Sequence, residues 1–148
     1  MVWIWKVLPM GKSKKKWLKI GIKILSQEGV GGLTIDQMAR GLRLTKGSFY
    51  HHFANMADYE TQLLAYWAGQ NLSTPSVVPE DPTSALFILD TYVAEAFGPA
   101  MQPEVAIRAW AQQDSNVRPY LEQVDEIRRD FIFQIFLSQT ANVIQARR

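Results

Sequence analysis

Three observations predict an all-α chain. Apolar residues recur at helical spacing in each long segment, and no run alternates apolar and polar as a half-buried strand would. The segments are separated by glycines, prolines and residues suited to cap a helix start. At 148 residues and 47% hydrophobic content, the chain can bury one sizeable core, or two small ones sharing a helix. Zero cysteines exclude disulfides and thiolate metal sites and suit a reducing cytoplasm.

The first predicted helix runs from a Ser13 cap to about Glu28, with Gly29 as its stop. Trp17, Ile20, Ile24 and Leu25 supply its buried face, widened by Leu18 and Ile22. Lys14, Lys15 and Lys16 crowd its first turn, where the helix dipole disfavours cations unless a polyanion lies nearby. Thr34 caps a second helix with Asp36 in its first turn and Ile35, Met38, Ala39 and Leu42 on one face. Arg43-Leu44 break the pattern, and Thr45 caps a third segment, Lys46 to Phe53, that buries Phe49 and Phe53 at i, i+4. Thr45, Lys46, Gly47, Ser48, Tyr50 and His51 are left on or near its opposite side. Two short helices around a tight turn, with hydroxyls, a cation and a glycine opening the second, form a helix-turn-helix pattern fit for a DNA major groove.

Asn55, with Asp58 at N3, caps a fourth helix whose stripe is Tyr59, Leu63, Tyr66 and Trp67, ending near Asn71. Residues 73–82 hold three prolines and mark the clearest break. Asp81-Pro82 open a fifth helix, and Pro103 begins a sixth with Val105, Ile107, Ala109 and Trp110 mostly inward. Asp114-Ser115 cap the last, Asn116 to about Thr140, with Val117, Leu121, Val124, Phe131 and Ile135 in one stripe. Its run Phe131 to Leu137 is apolar nearly all round and needs cover on more than one side.

Charge divides the chain. Residues 1–56 carry ten Lys/Arg against Glu28 and Asp36, a balance of +8; residues 57–148 carry six Arg against twelve Asp/Glu, a balance of −6. A basic head on an acidic body points to a polyanion partner for the head alone. No stretch approaches the roughly 20 apolar residues that span a bilayer. The start, MVWIWKVLP, makes a poor signal peptide. It reads as an extension before a start at Met10 or, alternatively, as a short membrane-surface anchor.

The stretch from Thr34 to Asp58, and LTKGSFYHHF within it, resembles the DNA-binding domain of the TetR family of bacterial transcriptional regulators. The match extends from about Trp17 to Trp67, and a weaker one covers Ala106 to Leu137. The family commonly has Gly where this chain has Arg43, and Lys where it has Met56. The resemblance implies a helix-turn-helix DNA-binding domain over residues 10–56. A short helical regulatory and dimerisation domain follows over 57–148, with residues 1–9 as an extension. It implies base-edge contacts from Lys46 and Ser48, and backbone contacts from Thr34, Thr45, Tyr50 and His51 beside Gly47, on double-stranded DNA. A small-molecule effector is implied too, with Trp67, Phe87, Tyr92, Phe97 and Trp110 as pocket candidates, and a homodimer through Val124, Phe131 and Ile135. The family's final helix would begin about where the sequence ends, at Arg148. The alternative reading is therefore an interaction protein that pairs with a longer relative and does not bind DNA alone. His51-His52 do not share a helix face and have no companion ligands, so neither metal nor cofactor is expected. No nucleophile–base pair, carboxylate dyad or phosphate-cradling loop supports an enzyme. The expectation is a cytoplasmic, ligand-responsive DNA-binding regulator, by the family's habit a repressor.

Overall fold

The computed structural model describes residues 11–71, 81–96, 98 and 102–146. The amino-terminal extension, residues 73–80 of the proline-rich break and Phe97 lie outside them. The described residues form seven α-helices: α1 (Lys12–Glu28), α2 (Ile35–Leu42), α3 (Lys46–Tyr50), α4 (Met56–Asn71), α5 (Pro82–Ala96), α6 (Gln102–Ala111) and α7 (Arg118–Ala146). A 3-10 turn at Val30–Gly32 links α1 to α2. None of these helices is long and apolar enough to cross a membrane.

Caps set most of the boundaries. Thr34 Oγ1 accepts from Gln37 N–H and Thr45 Oγ1 from Ser48 N–H, both at 3.3 Å. Asn55 Oδ1 accepts from Asp58 N–H while the Asp58 carboxylate accepts from Ala54 N–H, both at 2.9 Å, a reciprocal box one residue wider than usual. Asp81 accepts from Ser84 N–H at 2.8 Å, with Pro82 opening α5 where its missing N–H costs nothing. The Ser13 cap is not formed. Gly11 occupies the cap position without a side-chain bond, and Ser13 Oγ is instead hydrogen-bonded to His52 Nε2 at 3.0 Å.

One buried cluster runs from Trp17 and Leu18 in α1 through Met38, Phe49, Phe53, Tyr59, Leu63 and Trp67 to Trp110, Val117 and Val124. The cluster passes the junction at residue 56 without a break, because α6 packs directly on α1 as well as on α7. A smaller cluster joins α5 to α7 through Ala85, Phe131 and Ile135, with Ile88, Leu89 and Tyr92 against it.

One expectation is corrected by this packing, and two further sets of residues are placed by it. Val105 is 63% exposed and Ala109 lies outward, because α6 turns Glu104, Ile107, Trp110 and Ala111 to the interior. Val124, Phe131 and Ile135 are buried inside the chain. The apolar side chains that α7 leaves in solvent are Phe133, Phe136 and Leu137. Of the four described pocket candidates, Trp67 and Trp110 are main-core residues, Tyr92 packs on Phe131, and Phe87 is 72% exposed. On α6 the expectation joined two opposite faces, since Val105 and Ala109 lie across the helix from Ile107 and Trp110; on α7 the stripe is buried as its period implies, but period alone does not say which neighbour a face meets.

Candidate nucleic-acid interface

The turn between α2 and α3 is built by backbone bonds that a left-handed residue permits. Arg43 sits at φ 55, ψ 42, the non-glycine positive φ among the described residues. There Leu44 N–H reaches Ala39 C=O at 2.9 Å and Arg43 N–H reaches Arg40 C=O at 3.1 Å. Those two bonds close α2 as a Schellman motif and turn the chain at once into the Thr45 cap.

Only five residues long, α3 is too short to be stable alone and is held by what it buries. Phe49 is fully buried and meets Trp17 edge-on at 5.4 Å, Phe53 at 5.1 Å and Tyr59 at 5.4 Å. Phe53 stands perpendicular to Tyr59 at 4.9 Å, and Lys14 Nζ lies over the Phe53 ring at 5.3 Å. The inward aromatics thus lock α3 to α1 and α4, and its other face is left outside. Thr45, Lys46, Gly47, Tyr50 and His51 are exposed there, Tyr50 by 56%, while Ser48 is half-buried beside the cap. Thr34, at the start of α2, is exposed as well.

The electrostatics add detail that motif reading missed. Lys46 Nζ lies 2.7 Å from Asp36 Oδ1 in an exposed ion pair, so a lysine aimed at a base edge must first leave a carboxylate. Of the three crowded lysines of α1, Lys14 turns back onto Phe53, whereas Lys15 and Lys16 stay in solvent with Lys12, Lys19 and Lys23. At roughly 100° per residue those five fall within about a third of the helix circumference, opposite Trp17, Gly21 and Leu25. A helical wheel of the sequence already contains that stripe; reading the lysines as a run conceals it. Arg40 and Arg43 extend the exposed positive charge around the turn. His52 has its pKa lowered by burial, then by His51 and by Lys14, and therefore favours the neutral imidazole. Among the described residues no group of three His, Cys, Asp or Glu is placed to hold a metal.

Residues 18–58 match the family described as bacterial regulatory proteins, tetR family. The transcriptional regulator AcuR of Cereibacter sphaeroides is similar, at 34% identity over 47 residues, covering 32% of this chain and 22% of that relative. The aligned part thus spans about a fifth of the relative's length, at 22%. No solved structure matches the chain.

Proposed function

We propose that the protein is a ligand-responsive transcriptional repressor, from the premise that its residues 18–58 match the helix-turn-helix part of the tetR family of bacterial regulatory proteins. The observation that carries the reading is the division of α3: Phe49 and the following Phe53 anchor it, while Thr45, Lys46, Gly47, Tyr50 and His51 face solvent on the basic part of the chain. Lys46 and Ser48 read base edges; Thr34, Thr45, Tyr50 and His51 position the phosphate backbone. Two copies hold their α3 helices about 34–36 Å apart on a palindrome, and an effector that binds the other spacing better releases the DNA. The exposed Phe133, Phe136 and Leu137 support a dimer formed through α7.

Selection of binding sites from fragmented genomic DNA, at fixed moderate salt, tests the reading. A palindromic site recovered by the purified chain is the expected result. Folded protein that enriches nothing above background would overturn it in favour of an interaction protein that pairs with a longer relative. On the recovered site, Tyr50→Ala should weaken all sequences alike, whereas Ser48→Ala should change the preferred sequence.

A further inference from the structure

A second surface of the molecule carries a groove away from the exposed face of α3. Between α4 and α7, roofed at one end by the α6–α7 turn, lies an open groove of about 960 Å³. That volume is at the upper end of what drug-sized ligands occupy. Its floor is apolar: Leu64 and Trp110 contribute to it while nearly buried, with the fully buried Val117 beside them. Its rim carries Glu60 from α4, Asp114 from the turn, and Glu122, Glu126 and Asp130 along α7, and no lysine, arginine or histidine lines it.

Of the neighbouring cations, Arg118 donates to Ala111 C=O at 3.2 Å, and Arg129 is exposed on α7 but does not line the groove. Arg108 pairs with Glu104 and Asp125, and Arg128 with Glu104, on a different side of α7. Among the described residues, none of the five groove carboxylates has a salt-bridge partner. The cost of this arrangement is visible at Glu60, whose pKa is raised by burial and then by the repulsion of Asp114. A divalent metal does not fit, because the carboxylates are strung along α7 at helical intervals and no three of them converge. An apolar floor under a rim of unbalanced negative charge matches an organic cation with a hydrophobic body.

We propose that this groove binds a small lipophilic organic cation, an amine or quaternary ion carried on an aromatic or alkyl frame, as the regulatory ligand. The assignment rests on the ligand-responsive reading above. Of the aromatics expected to line a pocket, Trp67, Phe87, Tyr92, Phe97 and Trp110, the groove takes in Trp110. Ala57, Glu60 and Thr61 belong to the first half of α4, directly after the cap that follows α3. A ligand seated there touches the end of α4 nearest the DNA-reading helix and α7 together, so its occupancy bears on how the head is held.

Calorimetry on the full chain without DNA separates this proposal from DNA binding itself. Tetraphenylphosphonium and tetraphenylborate serve as probes, since they share size and shape and differ in the sign of charge. The phosphonium should bind one per chain and the borate should not. Glu60→Gln, and separately the exposed pair Glu126→Gln with Asp130→Asn, should each weaken the phosphonium by about tenfold, with the helical circular dichroism unchanged. No phosphonium binding to folded protein, or equal binding of both ions, overturns the proposal whatever the DNA result. So does a groove variant that changes only the sedimenting mass, which would make the groove a contact between copies. With the site established, the phosphonium should lower affinity for the selected DNA in wild type and leave that of the Glu60→Gln chain unaltered.

Discussion

Gly21 lies where α1 packs on α4, and its lack of a side chain is a packing requirement. A Cβ there would stand 1.8 Å from the Tyr59 hydroxyl and 3.2 Å from Leu63 Cδ1. That hydroxyl is buried and donates to Trp17 C=O at 2.9 Å, so it cannot move without leaving a carbonyl unmatched. Gly21→Ala should therefore cost about 2–4 kcal/mol in urea denaturation. In a Tyr59→Phe background the same change should cost at least about 1 kcal/mol less, and strictly additive costs would reject the steric explanation. Arg43 shows the opposite case, a residue that tolerates strain at φ 55. Arg43→Gly relieves it and should raise stability by about 1 kcal/mol, seen as a higher denaturation midpoint with an unchanged slope.

At the scale of elements, the short α3 depends on the start of α1. Ser13 bonds His52, and Lys14 covers Phe53, so two consecutive residues of α1 clamp two consecutive residues following α3. Burial, His51 and Lys14 all disfavour the imidazolium at this junction, and His52 is held below its ordinary pKa. The unfolded chain therefore binds a proton that the folded head resists. His52 contributes stability in full above about pH 6.5, and that contribution is lost as pH falls through the lower folded value. Thermal melts between pH 7.5 and 5 should show stability falling on the acid side, and His52→Gln should flatten that part of the profile. Asp58, lowered by its bonds from Gln62 and Ala54, adds a separate loss below the ordinary carboxylate range, outside this window.

At the scale of the molecule, a buried charge cluster ties three helices together. Glu104 of α6 is 2% exposed and accepts from Arg128 of α7 at 2.7–2.8 Å and from Arg108 at 2.7 Å. Arg128 also donates to Asn71 Oδ1 at 2.7 Å, at the last residue of α4. Removing one partner of such a group leaves the others desolvated and unpaired. Glu104→Ala should cost about 3–5 kcal/mol by denaturation, and Glu104→Met combined with Arg128→Met should recover a good part of it. A loss below about 1 kcal/mol for the single variant would show that the cluster is better hydrated than its burial indicates.

The local code of this chain was legible without coordinates. Thr34, Thr45, Asn55 and Asp81 cap helices because their side-chain oxygens meet orphan N–H groups a few residues away, a matter of sequence neighbours alone. The helix-turn-helix and its inward Phe49 and Phe53 follow from the same short-range logic, as does the exposed face on which the DNA-reading proposal rests. Long-range pairing decided the rest. That Glu104 lies inward, that Phe131 and Ile135 meet α5, and that five carboxylates rim one groove all depend on which helix faces which. Periodicity locates an apolar stripe on a helix, but only the packed structure chooses what covers it.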